Sequence, residues 1–271
     1  MNYLKEVLNY YGKNFIYIAV FCLIPAIFCG FLLKPFAMFE FIAKYPELTI
    51  NTFGDLFGAV YGLNWLDILW ILMGFVTIVI AISLLLGFIE SHFKTGKVSW
   101  SNSFSLNSNA LSVAKITIIL AIICFVVNLL VMLLVFLVHA IFNNGGIAGI
   151  PAIVINYILI FGCMVIIARA LTMFILTGIE MLINGSPLRV SFSDATRAIA
   201  RDGWKIFAVE ATLFILMFLL IVLLTLAGLS WLGNIIGLMI FLPVECILGM
   251  IVFFDYNGIK RYDKRRLFVK F

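Results

Sequence analysis

The sequence predicts an all-α integral membrane protein: a polytopic bundle of about six membrane-spanning helices, with short amphipathic helices on the cytoplasmic side. Composition leads to this class, because 65% of the 271 residues are hydrophobic, 11% are charged and the mean hydropathy is +1.20. A soluble domain is only about half apolar. The hydropathy pattern indicates the same class, because the apolar residues form continuous runs of roughly 18 or more, the length that a helix needs to cross the hydrocarbon core. The strands of a membrane β-barrel would instead show alternating apolar and polar residues.

We treat the chain as one membrane domain, 1–271, with an interfacial helix in 1–14, a six-span bundle in 15–254 and a basic cytoplasmic tail in 255–271. Each span is assigned to an apolar run that ends at charged or turn-forming residues. The six predicted spans cover residues 15–33, 66–89, 113–142, 150–183, 204–229 and 235–254.

The first 14 residues have the pattern of an interfacial helix. Leu4, Leu8 and Tyr11 recur at the spacing of one helical face, and Lys5 and Lys13 flank that face. An amphipathic helix of this kind lies along the membrane surface, with its charged groups at the headgroups. We therefore expect it on the cytoplasmic interface, before the chain turns into the first span.

The segment between the first two spans, 36–65, is rich in aromatic residues, which favour the headgroup level of a bilayer. Gly54, Gly58 and Gly62 recur at every fourth residue and would form a smooth face for close helix contact. This predicts interfacial or re-entrant helices. A glycine-rich turn region is the alternative interpretation.

The distribution of basic residues predicts the orientation. With the N-terminus in the cytoplasm, 15 of the 18 Lys and Arg residues lie in inner segments, Lys34 and Lys44 lie outside, and Arg169 lies within a span. The positive-inside rule then places both termini in the cytoplasm of a multi-pass cell-membrane protein. The basic inner face predicts contact with anionic headgroups. No folded basic module suggests nucleic-acid binding.

A stretch before the fifth span has a fainter copy earlier in the chain. Glu90 and Glu180 are 90 residues apart, as are Lys115 and Lys205, and Val-Ser-Trp-Ser-Asn at 98–102 resembles Val-Ser-Phe-Ser-Asp at 190–194. Both copies are expected on the cytoplasmic side, which makes the repeat parallel. Chance similarity between segments of like composition is the alternative.

The second copy predicts a short amphipathic helix that ends at Gly203. Ser191 and Asp194 have the spacing of a capping box that would start it. Ala195 and Ile199 would then face the membrane, and nearby arginines would contact headgroups. Glu90 and Glu180 are interpreted as interface residues that pair with a nearby Lys or Arg. The residues predicted at this cytoplasmic interface are Glu90, Glu180, Arg189, Arg197 and Arg201.

Three ionisable residues lie deep inside predicted spans, away from the span ends: Arg169, Glu210 and Glu245. Each is costly to insert, by roughly 2.5–3.5 kcal/mol on insertion scales, and is therefore a functional candidate. We expect an Arg169–Glu245 pair, shared with Glu210. The pair would either fix helix register or form a polar site for a substrate, a proton or a headgroup. Pro243 is close to Glu245 and favours the second, because a proline leaves a backbone carbonyl free.

The sequence has no pattern of a catalytic or metal site. The five cysteines all lie in apolar runs, without a Cys-x-x-Cys pair, and there are only two histidines. We therefore predict buried, unreactive thiols, no cofactor and no structural zinc site.

The order of the spans, the Gly-x-Val-Ser-aromatic loop and the closing Phe254-Asp255-Tyr256 with Lys260-Arg261 resemble the glycerophosphodiester phosphodiesterase membrane-domain family and related bacterial six-span proteins. The resemblance covers most of the chain. The soluble phosphodiesterase barrel of that family, with its metal-binding acids, has no counterpart here. The resemblance therefore implies the membrane scaffold and not the hydrolase activity.

Three functions follow as hypotheses. The first is a non-enzymatic scaffold or partner subunit that binds another membrane protein or a second copy of itself. The second is a small transporter or permease subunit that uses the cluster of Arg169, Glu210 and Glu245. The third is a lipid-modifying membrane enzyme, which is the weakest because no nucleophile and base can be named.

Overall fold

A computed structural model describes residues 3–30, 36, 52–61, 65–98, 110–144 and 150–263. Within these ranges the chain forms eight α-helices and no strand, which confirms the all-α class. Numbered in chain order, the helices are α1 (Tyr3–Lys13), α2 (Phe15–Phe28), α3 (Phe53–Tyr61), α4 (Trp65–Thr95), α5 (Ala110–Asn144), α6 (Ile150–Asn184), α7 (Leu188–Leu226) and α8 (Ser230–Tyr256).

Three of the described helices are long and apolar enough to cross a membrane: Leu69–Thr95 in α4, the whole of α7 and the whole of α8. Helices α1 and α2 pass the same test as a pair, although the chain bends by 85° between them. Helices α5 and α6 are each 35 residues long. The chain therefore has long apolar helices of the kind found in membrane proteins, and the stretches predicted as the second to sixth spans are helical in α4 to α8.

Helix α8 is the centre of the bundle. Every residue from 242 to 254 is buried, so the helix is enclosed on all sides. A helix that is apolar all round is stable only inside a bundle. Helices α1, α2, α4, α6 and α7 all contact α8, and α6 and α7 also contact each other. Helices α6, α7 and α8 therefore all pack against one another, and their side chains meet in the interior of the bundle.

The contact between α6 and α8 is close because α8 has a glycine there. A Cβ atom on Gly249 would lie 2.8 Å from Ile175 Cγ2 and 3.0 Å from Ile179 Cδ1. Small residues allow membrane helices to approach each other closely. Gly249 is one helical turn beyond Glu245 and so sets the distance from α6 to that carboxylate.

Helix α1 packs against the bundle through residues outside the predicted apolar face. Its buried residues are Tyr3, Val7 and Tyr10, whereas Leu8 is 50% exposed. The predicted apolar face with Leu4 and Leu8 is therefore only partly covered. The buried side of α1 contacts α7 and α8, and the exposed Leu8 is compatible with the predicted position of this helix at the membrane interface.

A proline inside α8 is matched by a tyrosine from α1. Pro243 has no backbone N–H, so the carbonyl of Met239, four residues earlier, lacks its usual helical donor. The Tyr11 hydroxyl donates to the Met239 carbonyl oxygen at 3.3 Å. Helix α1 thus satisfies the carbonyl group that the proline leaves free.

Helix α7 begins earlier than the sequence pattern indicated. Its first residue is Leu188, after Pro187 at φ −65° and ψ 151°. The predicted capping box is wrong, because Ser191 lies inside the helix and its hydroxyl contacts the Ser186 and Pro187 carbonyl oxygens, both at 3.3 Å. Pro187 is the N-cap residue, and its carbonyl oxygen accepts from the Ser191 N–H at 3.1 Å.

The first turns of α7 are enclosed by protein. Ala195 and Ile199 are buried in the common core, so the expectation that they face the membrane is wrong. Phe174 of α6 contacts Phe192 with ring centroids 6.1 Å apart. The helix is interrupted at Asp202, at φ −111° and ψ 21°, one residue before the predicted end of the short helix.

The beginning of the predicted tail is part of the fold. The backbone N–H of Tyr262 donates to the Phe93 carbonyl oxygen at 2.8 Å, which joins this segment to the end of α4. Arg261 donates from Nη1 to Glu6 Oε2 at 2.7 Å and joins it to α1. Residues 264–271 of the tail lie outside the described ranges.

Within segment 36–65, the residues that the structure describes are mainly those of helix α3. Thr52 and Asp55 cap it reciprocally, since the Thr52 N–H donates to Asp55 Oδ2 at 2.8 Å and the Asp55 N–H donates to Thr52 Oγ1 at 3.1 Å. Gly62 and most of the remaining segment lie outside the described residues, so its interfacial or re-entrant character stays a prediction.

Candidate functional site

The three ionisable residues predicted within spans come from three helices that meet. Arg169 lies on α6, Glu210 on α7 and Glu245 on α8. The Arg169 Nη1 atom lies 4.0 Å from Glu210 Oε2, which is a long ion pair. The expected direct pair of Arg169 with Glu245 is not formed. The guanidinium faces α7, where Nη1 also donates to the Gly203 carbonyl oxygen at 3.1 Å.

A threonine connects the two carboxylates. The Thr172 hydroxyl oxygen lies 2.5 Å from Glu210 Oε1, 3.0 Å from Glu245 Oε2 and 3.2 Å from the Ala168 carbonyl oxygen. Thr172 is three residues after Arg169 on α6, and such a spacing places both side chains on one helix face. Glu245 is therefore joined to the arginine through Thr172 and Glu210.

The acidic part of this cluster is enclosed. Thr172 and Glu210 are fully buried and Glu245 is 1% exposed, whereas the Arg169 side chain is 35% exposed. Glu210 Oε2 and Glu245 Oε1 have no hydrogen-bond partner within the part of the chain that the structure describes. Buried polar atoms are usually bonded, so each cluster carboxylate retains one oxygen that can accept a further ligand.

The single hydrogen of the Thr172 hydroxyl constrains the protonation state of the two carboxyl groups. A threonine hydroxyl has one hydrogen and can donate to one acceptor at a time. Thr172 can bond to both Glu210 and Glu245 only if one of the two carboxyl groups is protonated and donates to the hydroxyl oxygen. Charge leads to the same conclusion, since two buried carboxylates share one guanidinium and an unpaired buried charge is very costly.

The interruption of α7 allows the arginine to approach. A Cβ atom on Gly203 would lie 2.9 Å from Arg169 Nη2, so a side chain at residue 203 would displace the guanidinium. Asp202, next to it, is buried and accepts from Arg201 Nε at 2.8 Å and from Lys205 Nζ at 2.6 Å. Asp202 was not predicted from the sequence, although it lies between Arg201 and Lys205, which are four residues apart.

The two interface glutamates have different partners. Glu90 pairs with Lys94, whose Nζ lies 2.5 Å from its carboxylate, in agreement with the expectation of a nearby lysine. Glu180 is buried and accepts from Asn184 Nδ2 at 2.6 Å and from Asn257 Nδ2 at 3.2 Å. The expected basic partner of Glu180 is therefore wrong, because two amide groups reach the carboxylate from α6 and from the end of α8.

The predicted interface arginines lie along α7. Arg189 and Arg197 are exposed, and Arg197 Nη1 lies 3.6 Å from Asp194. Arg201 bonds to Asp202, and its guanidinium carbon lies 4.9 Å from the centroid of the Tyr256 ring. Arg201 thus connects α7 to the end of α8, while the other two face outward.

The two copies of the internal repeat have similar helix ends. Glu90 of α4 and Glu180 of α6 each bond to the residue four positions later. Both helices are followed by glycines in the left-handed region, Gly96 at φ 72° and Gly185 at φ 65°. Glycine ends a helix in this way because it has no Cβ. Most of segment 98–109 of the first copy lies outside the described residues, so the repeat remains a prediction.

Thr172 is the main residue of the cluster that sequence reasoning missed. A signal was available, because it is one turn from Arg169 and a hydroxyl is the natural partner of a carboxylate in an apolar bundle. In the described ranges, no group of three or more His, Cys, Asp or Glu side chains could hold a metal ion. Comparison of the chain with protein-family models, with curated proteins and with solved structures finds no match.

Proposed function

We propose that the protein is a small membrane transporter or permease subunit in which the cluster of Arg169, Thr172, Glu210 and Glu245 takes up and releases a proton. The single observation that carries this proposal is the contact of the Thr172 hydroxyl with two buried carboxylates. That contact is satisfied only when the cluster holds one exchangeable proton. Intramembrane carboxyl groups of this kind are typical of proton relays.

The geometry fits a proton site better than a pair that only fixes helix register. A register-fixing ion pair is stabilised by short, bidentate bonds between guanidinium and carboxylate. Arg169 Nη1 and Glu210 Oε2 are instead 4.0 Å apart, and Glu210 Oε2 and Glu245 Oε1 accept no hydrogen bond from the described residues. Such an arrangement favours binding of a proton, because the proton removes the excess negative charge.

These contacts also define a route for proton transfer between the two carboxyl groups. When protonated Glu245 donates its proton to Thr172 Oγ1, the hydroxyl passes its own hydrogen to Glu210, whose charge is then neutralised. The reverse sequence restores the first state, so the step balances without a further reactant. Arg169 is the partly exposed member and would stabilise Glu210 when it is ionised.

The architecture that we propose around this site has six spans and both termini in the cytoplasm. The distribution of basic residues and the resemblance to the six-span membrane-domain family support it. In this arrangement the turn between α7 and α8 is external, and the segment after α8 is cytoplasmic.

Labelling of single cysteines tests the orientation. In a cysteine-free background, we expect Lys260→Cys to react with a membrane-impermeant maleimide only after the cells are opened. Leu229→Cys is expected to react in intact cells. Both residues are exposed, so reagent access is not limited by the fold. Reaction of Lys260→Cys in intact cells would contradict the orientation.

Proton uptake by proteoliposomes tests the function. Wild-type protein in vesicles that contain pyranine, under a potassium diffusion potential set by valinomycin, is expected to acidify the interior faster than empty vesicles do. Glu245→Gln is expected to reduce the rate to that of empty vesicles, because an amide cannot carry the proton. The control is Glu180→Gln, which makes the same change at a buried carboxylate outside the cluster.

Circular dichroism and gel filtration verify that each variant is folded before its rate is interpreted. A rate for folded Glu245→Gln equal to that of the wild type, or a wild-type rate equal to that of empty vesicles, would contradict the proposal. The cluster would then be a structural ion pair in a scaffold subunit.

A further inference from the structure

A polar cavity lies away from the buried cluster. Its volume is about 500 Å³, and it is formed by α1, the end of α4 and the segment after α8. Lys5, Asn9 and Lys13 of α1 line it together with His92 and Arg261. The proton-handling cluster contributes none of the residues that line it, so the cavity requires a separate explanation.

Arg261 holds together one part of the cavity lining. Arg261 bonds to Glu6 at 2.7 Å and to Asp263 at 2.9 Å and 3.2 Å, and its guanidinium carbon lies 4.1 Å from the Phe93 ring centroid. Both acidic residues of the lining are therefore bonded to one buried arginine. This part of the lining holds the segment after α8 in place.

The lysines of α1 make the cavity suited to an anion. Lys5, Asn9 and Lys13 recur at every fourth residue and are exposed on one side of α1. The two lysines are separated by about 12 Å along the helix axis, at 1.5 Å per residue. Each has a flexible four-carbon stem with three donors, so both ammonium groups can converge on a group beside the Asn9 amide.

The surroundings indicate an amphiphilic ligand. Immediately after the cavity the chain bends by 85° into α2, where Phe15 is 47% exposed and Ile16 is 74% exposed. Leu8 is also exposed on α1. A molecule with its anionic group between the lysines would thus have apolar side chains beside its remaining part.

We propose that this cavity binds the phosphate of an anionic phospholipid, held by Lys5, Asn9 and Lys13, with the acyl chains against Phe15 and Ile16. The basic side chains supply the charge attraction that anionic headgroups require. The adjacent apolar surface distinguishes a lipid from free phosphate. The site does not depend on the proton-handling role of the buried cluster.

Thermal unfolding of the detergent-solubilised protein tests the proposal. We expect short-chain phosphatidylglycerol to raise the Tm of the wild type, and phosphatidylcholine of equal chain length to have a smaller effect. Lys5→Gln/Lys13→Gln is expected to lose the difference between the two lipids. Lys97→Gln/Lys115→Gln is the matched control, since it removes two exposed lysines elsewhere and should keep the difference.

Asn9→Asp is a second variant, which places a negative charge between unchanged lysines and is expected to abolish the effect of phosphatidylglycerol. If either cavity variant still shows the larger rise of Tm with phosphatidylglycerol, the proposed site is wrong. An equal effect from inorganic phosphate would overturn the assignment to a lipid. Loss of the effect in the control pair would assign it to overall charge and would overturn the proposal as well.

Discussion

Replacement of Arg169 by methionine is expected to lower the free energy of unfolding by about 3 kcal/mol, since removal of one partner of a buried ion pair costs roughly 3–5 kcal/mol. The lower value applies because the Arg169 side chain is 35% exposed. The variant leaves Glu210 buried without its guanidinium and frees the Gly203 carbonyl. Unfolding in detergent micelles, at increasing concentrations of SDS, measures the loss.

The destabilisation should depend on pH and on Glu210. It is expected to be larger at pH 9 than at pH 5, because a buried carboxyl group without a cationic partner takes a proton at low pH. In Arg169→Met/Glu210→Gln most of the stability should return, since an uncharged pair of similar volume is tolerated. Arg189→Met is the control, because Arg189 is exposed. Equal losses for Arg169→Met and Arg189→Met would contradict the assigned pairing.

Gly249→Val is expected to destabilise the protein by about 1–3 kcal/mol, the cost of overpacking a dense core. The first added carbon would already lie 2.8 Å from Ile175 Cγ2, and this branched side chain has little freedom to move. Helix α6 must then move away from α8, which separates Thr172 from Glu245. We therefore expect proton uptake by the proteoliposomes to fall together with stability.

Gly162→Ala provides the matched comparison on α6. A Cβ atom at this residue would meet nothing within 4 Å among the described atoms. Alanine is preferred to glycine inside a helix by about 0.5–1 kcal/mol, so this variant should be slightly more stable and equally active. A Gly249→Val protein as stable as the wild type would show that the close approach of α6 and α8 is not required.

The long apolar helices were predictable because hydropathy is a local property. Apolar runs of sufficient length must become helices in a bilayer, since every backbone group needs an internal partner. Predicted boundaries such as 150–183 therefore differ little from α6, which ends at Asn184. The start of α7 was missed because two helix-start signals compete there, and Pro187 takes precedence over Ser191.

The members of the buried cluster were recognisable one by one, but their pairing was not. A charge in an apolar run is visible in the sequence, as with Arg169, Glu210 and Glu245. From the sequence, Arg169 was expected to pair with Glu245. The contact with Glu210 depends on how α6 rotates against α7, and the bridge through Thr172 depends on how closely α6 approaches α8.

By itself, the sequence determined that this protein is helical and apolar enough for a membrane, and which charges lie in its apolar runs. Those properties are set by residues within one or two helical turns. Only the tertiary structure decided that Thr172 joins two carboxylates and that Tyr11 satisfies the carbonyl that Pro243 frees. Such contacts depend on helix rotation and crossing, which are set by side-chain packing between segments far apart in the chain.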